Sequence, residues 1–205
     1  MIKRDNYQIQ ARQAKALFLT YDQEELIRRC RLRYDADYFY ITFLSDPYRV
    51  CRRTGDMERK VGCDWADANS FEEVMTILDW LCDSRPDRYI TGRWVNLVTQ
   101  THSIHRGLQE ESRDANAELF DKHPEAFAAA CRALGGEKLP GADMSYAIEL
   151  IDGMRILVQL WHGDEEFAPR LRCLWDENAL RYLRYETSWY AAGLLIRRIR
   201  QQMKV

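Results

Sequence analysis

Apolar residues along this chain recur with two different periods, and the change from one period to the other marks its elements. Positions 6–31 carry the spacing of an amphipathic helix, in one or two pieces. A break is expected near Thr20–Asp22, where Asp22 and Glu25 form a capping-box pattern and Tyr21 with Leu26 a hydrophobic staple. In DYFYITFLSDPYRVCR, residues 37–52, Tyr38, Tyr40 and Thr42 alternate with Phe39, Ile41 and Phe43. A period of two is the strand signal, so this stretch predicts two strands joined at Ser45–Asp46–Pro47. Thr54–Gly55–Asp56 predicts a further turn. Ser70 with Glu73 then caps a helix to about Cys82, whose buried stripe is Phe71, Val74, Ile77, Leu78 and Leu81.

Patterns are weaker in the middle. Arg85–Pro86–Asp87 reads as a turn, residues 93–98 as a short strand, and 112–134 as a helix interrupted before Pro124. Gly135–Gly136 ends that helix, and Pro140–Gly141 marks a loop. Met144–Ile151 and Met154–Trp161 flank Asp152–Gly153, a pair that tolerates the positive φ of a type I′ hairpin turn. Asp176 is expected to cap a last helix reaching about Gln202, with Trp175 and Leu180 as its staple.

Sliding the chain by 106 residues lays Asp37, Tyr40, Leu44, Asp46 and Arg49 on Asp143, Tyr146, Leu150, Asp152 and Arg155. This correspondence suggests half-repeats of about 32–83 and 138–202 inside a single domain spanning 1–205. Strands cluster in hairpins and helices fall between the clusters. That arrangement implies an α+β fold with antiparallel sheet rather than βαβ units.

Composition sharpens the class. At 205 residues the chain buries a core without staples, and 46% hydrophobic with 30% charged residues exclude a disordered chain. Its longest apolar-leaning stretch, Trp189–Ile196, falls far short of the roughly 20 residues a membrane helix needs. MIKRDNYQIQARQ has a charged start but lacks the apolar core of a signal peptide, which predicts a cytoplasmic protein with no membrane association. Thirty basic residues are interspersed with 32 acidic ones, so no basic face is available for phosphates and nucleic acid is not an expected partner. Six cysteines without a CxxC pair read as reduced thiols rather than a zinc or iron–sulfur site.

Candidate chemistry concentrates in WHGDEEFAPRLRCLWDEN, residues 161–178. His162 with Asp164, Glu165 or Glu166 can serve as an acid–base pair or ligate a metal; the competing reading is a solvated turn. Asp176 and Glu177 read instead as acids at a helix start. His102 and His105 stand three apart and are candidate metal ligands, against the alternative of a polar loop. In TGRWVNL, Arg93 beside Trp94 can receive a carboxylate or phosphate on an apolar body, or be a surface Arg next to a packed Trp. Neither face of the Asp152–Gly153 hairpin is plainly polar, so that sheet is expected to be covered on both sides, by the protein's own helices or in part by a ligand or partner. Tyr40, Tyr146 and Trp161 are the candidate ligand contacts on the two hairpins. No GxSxG, P-loop, Rossmann or HExxH motif occurs.

Several separated phrases together resemble one family: NYQIQARQAKALFLTYDQEELIRR, DYFYITFLSDPYRV, SFEEVMTILDWLCDSRPD, GRWV, AACRALGG and WHGDEEFAPRLRCLWDEN. They are similar to small bacterial proteins, common in anaerobes, catalogued as a domain of unknown function. The resemblance implies association with corrinoid and iron–sulfur proteins of one-carbon metabolism. It brings no catalytic residue to carry over. A cofactor (corrinoid, haem or metal) would then come through binding or a partner, because clustered cysteines are missing. The expectation is therefore a binding or accessory protein engaging a small cofactor or a redox or one-carbon partner, with a homo-oligomer as a further form. An acid–base or metal-assisted enzyme built on His162 is the alternative.

Overall fold

In the computed structural model, which describes residues 2–97 and 107–205, the strands form two antiparallel five-stranded sheets with helices beside them. The α+β expectation holds. The chain divides into two compact units: Met1–Tyr89 with Leu180–Ala191, and Ile90–Ala179 with Ala192–Val205.

The first unit contains α1 (Ile2–Phe18), α2 (Gln23–Cys30) and α3 (Phe71–Asp83). Its sheet runs in sequence order: β1 (Arg33–Tyr34), β2 (Tyr38–Phe43), β3 (Asp46–Cys51), β4 (Met57–Val61) and β5 (Asp64–Asp67). Alternation sorts the strand residues. Phe39, Ile41, Phe43, Tyr48, Val50 and Met57 are buried, whereas Tyr38, Tyr40 and Arg49 on the opposite face are only half-buried. Phe18 of α1 packs edge-on against Phe39, and the buried Tyr48 hydroxyl donates to Glu73 Oε1 of α3 at 2.7 Å, so the helices cover the apolar face. Ser70 and Glu73 close the capping box the sequence predicts.

Local differences have local causes. The β2–β3 turn falls at Leu44–Ser45, both with positive φ, not at Ser45–Asp46–Pro47. Pro47 instead lies in β3, at a position that β4 does not pair, where its missing N–H costs no ladder bond. Asp22 caps α2 by accepting from Glu24 N, while Glu25 pairs with Arg29 rather than completing a capping box.

The second unit holds α4 (Gly107–Lys122), α5 (Pro124–Ala133) and a sheet ordered β6–β10–β9–β8–β7. These strands are β6 (Trp94–Val95), β7 (Glu137–Lys138), β8 (Met144–Ile151), β9 (Met154–Trp161) and β10 (Arg170–Asp176). Pro124 begins α5, as the helix break predicts. Asp152 and Gly153 both take positive φ between β8 and β9. Residues of both parities are buried along β8 and β9, and α4 packs on β9 and β10 while α5 packs on β8.

One expected element is wrong here. Asp176 does not cap the last helix; it ends β10, and α6 (Tyr185–Met203) starts nine residues later, after a short turn of helix at Ala179–Arg181. Leu171, Cys173 and Trp175 point into the core along that strand.

Both units carry a four-strand meander, β1–β4 and β7–β10. Their hairpin turns, at Leu44–Ser45 and Asp152–Gly153, are out of step with the 106-residue frame, so Asp46 and Asp152 occupy different places. A bulge in β8 between Glu149 and Ile151 shifts the pairing again.

Candidate functional site

β9 ends at Trp161, and the connection to β10 doubles back through Gly163. A Cβ on Gly163 would stand 2.8 Å from Pro169 Cδ and 3.0 Å from its nitrogen, so only glycine permits this closure without a shift. Asp164 holds the loop from inside: its Oδ1 accepts from Glu166 N at 2.8 Å and Phe167 N at 2.7 Å, and its own N–H donates to the Phe167 carbonyl. Asp164 is thereby committed to the loop. Glu165, Glu166 and Phe167 are left on the outside, Phe167 with 69% of its surface exposed.

His162 is gripped from two directions. Its N–H donates to Asp143 Oδ2, just ahead of β8, at 2.9 Å. Its ring Nδ1 lies 2.5 Å from Oδ1 of Asp121, near the end of α4, whose Oδ2 accepts from Gly163 N. The Asp121 carboxylate beside Nδ1 suits the tautomer with its proton on that nitrogen, which makes Nε2 the acceptor nitrogen of the ring. Asp121 also lines an open hollow of about 570 Å³, walled by Asp164, Glu165, Glu166, Phe167 and Pro169. The histidine expected to pair with its own loop's acids pairs instead with one 41 residues upstream. No spacing rule reaches Asp121 or Asp143 from His162.

Two motifs read separately meet in the sheet. Trp94 pairs with Asp176 and Val95 with Trp175, so TGRWV and LWDEN form adjacent strand ends. Asp176, buried, accepts from Thr91 N, Thr91 Oγ1 and Gly92 N through Oδ2, and from Asn178 N through Oδ1. Arg93 forms an ion pair with Glu177, and its carbonyl accepts from Glu177 N. These groups are satisfied by each other, and Arg93 meets a carboxylate of its own chain.

The other candidates are dispersed. Tyr146 is core, edge-on to Phe127 beneath α5. Trp161 is half-buried with the Arg172 guanidinium over its ring. Tyr40 lies in the first unit, its hydroxyl donating to Asp35 at 2.6 Å. His102 and His105 lie outside the described residues. Among the described residues no three His, Cys, Asp or Glu side chains gather as a metal-ligand set, and no helix is long and apolar enough to cross a membrane.

The fold thus defines an α+β protein of two antiparallel sheets, with an acidic hollow at the β9–β10 connection. Over residues 22–198 the chain matches the family described as Domain of unknown function (DUF3786), and it belongs to that family. No curated protein and no solved structure matches it.

Proposed function

We propose that this chain is a binding or accessory module whose ligand enters the hollow beside His162. The observation that carries this reading is the Asp121–His162 pair at 2.5 Å on the border of an open hollow with three further acids on its wall. Phe167 and Pro169 add apolar surface, so the site suits a cationic group on an apolar body. Six cysteines without a CxxC pair and outside any disulfide support a reducing, cytoplasmic setting. The sequence resemblance supports a small cofactor, or a redox or one-carbon partner protein, as the thing bound.

Native mass spectrometry, an absorbance spectrum and metal analysis of anaerobically purified protein test this. A species retained by the wild type is expected to be lost from the Asp121→Ala and His162→Ala variants. A colourless, metal-free and ligand-free wild type sinks the cofactor form and leaves only a protein partner.

The same 2.5 Å pair favours a second reading, an acid–base enzyme in which His162 moves a proton at Nε2 and Asp121 orients the ring. On any substrate found by screening, His162→Gln should then lower turnover by about 10²–10⁴-fold, with Asp121→Asn intermediate. Unchanged turnover in His162→Gln rules that reading out.

A further inference from the structure

The face of the first sheet opposite its helices carries an arrangement that the hollow does not use. Tyr40 on β2, Arg49 on β3, Glu58 on β4 and Asp67 on β5 stand in one row across the strands. The Arg49 guanidinium carbon lies 4.2 Å from the ring centre of Tyr38 and 4.6 Å from that of Trp65. Trp65 reaches this point from β5, and its ring centre is 6.4 Å from that of Tyr40. Glu58 accepts from Arg49 Nε at 2.6 Å. Asp35 accepts from the Tyr40 hydroxyl and from two backbone N–H groups, which fixes the Tyr40 ring in place. All three rings and Arg49 are half-buried.

Without Arg49 this cluster is two facing rings, Tyr38 and Trp65, with Tyr40 beside both, a Glu58 without its Arg49 partner and the nearby Asp35. Aromatic faces attract a guanidinium through the ring quadrupole, and a carboxylate takes its N–H groups in the same plane. A cross-strand Arg–Glu pair needs one neighbour on each side; here rings from two other strands converge on the same guanidinium.

We propose that Tyr38, Tyr40, Trp65 and Glu58 form a guanidinium cage that takes an arginine side chain of a protein partner, with Arg49 as its resident occupant in the free protein. The choice of occupant follows from charge complementarity and from the group already seated there. An incoming arginine remakes the contacts Arg49 gives up, but it competes with an occupant tethered in place, so wild-type binding is weak and removal of Arg49 strengthens it. The cage is an autoinhibited docking point on the first unit, independent of the hollow beside His162.

The test follows the Trp65 indole N–H by NMR while a short peptide with one arginine is added to the full chain, against the same peptide with lysine. Arg49→Gln removes the cation while keeping an amide to bond Glu58, and Tyr38→Leu removes one wall. A saturable shift is expected in the wild type with the arginine peptide, about tenfold tighter binding in Arg49→Gln, and none in Tyr38→Leu, which keeps the Trp65 probe. The lysine peptide should bind markedly more weakly. No shift in either the wild type or Arg49→Gln overturns the cage, and an equal response to lysine overturns its assignment to arginine. The dispersed indole spectrum of Arg49→Gln reports in the same experiment that this variant is folded.

Discussion

Asp176 illustrates how a single carboxylate fixes a junction. It is buried, and it accepts four hydrogen bonds from the segment at Thr91–Gly92 and from Asn178. Replacing it with alanine takes the shared acceptor from four donors at half-buried or exposed positions, at a cost of roughly 1–3 kcal/mol and toward the upper end because all lose it together. Urea unfolding should show a fall of about 3 kcal/mol for Asp176→Ala, with the midpoint shifted and the slope unchanged. Gly163→Ala should cost about 1–2 kcal/mol, because its Cβ meets Pro169. The same variant should move the His162 ring resonances, since Gly163 N–H shares Asp121 with that ring. What was legible at this scale was local. Ser70 and Glu73 are three residues apart and find each other within one helical turn. His162 was visible as a candidate, but its partner Asp121 comes from a helix 41 residues away, and only the fold brings the two together.

At the scale of elements, β10 was the chief miss, although RLRCLWD alternates plainly between outward arginines and inward Leu171, Cys173 and Trp175. Asp176 followed by Glu177 also satisfies the rule for a helix start, which places a helix boundary where the strand in fact ends. The true start of α6 draws its capping carboxylate from another helix. Asp79 of α3 accepts from Arg184 N at 2.8 Å and pairs with Arg184 Nε at 3.2 Å, almost wholly buried. Burial raises the Asp79 pKa above the usual carboxylate range, opposed by the bonds from Arg184 and Thr187. The folded state therefore holds this proton more tightly than the unfolded chain. Its contribution to stability is full below the ordinary carboxylate pKa and declines as pH rises through the folded value. Asp79→Asn removes that titration. Urea midpoints measured from pH 4 to pH 7 should show the variant gaining on the wild type as pH rises; a constant difference would contradict the assignment.

For the whole molecule, the two compact units are interleaved along the chain, because the first recruits Leu180–Ala191 from beyond the second. We propose that they fold as one domain for this reason, and that the similar meanders reflect an internal duplication despite their mismatched turns. Single-sequence alternation identifies hairpins but not which turn of one matches which turn of another, since a bulge adds a residue without breaking the pattern. The consequence for folding is specific. A fragment ending at Tyr89 loses the Arg184 bonds to Asp79 and Asp83, the Arg181–Asp87 pair, and the hydrogen bond from Arg85 N to the Arg181 carbonyl. It keeps the sheet and α1–α3 but strips Asp79 of the bonds it accepts from Arg184 and Thr187 and uncovers that side of α3. Residues 1–89 alone should therefore unfold with a broadened, low-temperature transition. Joining 180–191 to Tyr89 through a flexible Gly/Ser linker should restore a cooperative one, followed by circular dichroism against temperature. A fragment of 1–89 that melts as sharply as the linked version would show that the recruited segment is dispensable to the first unit.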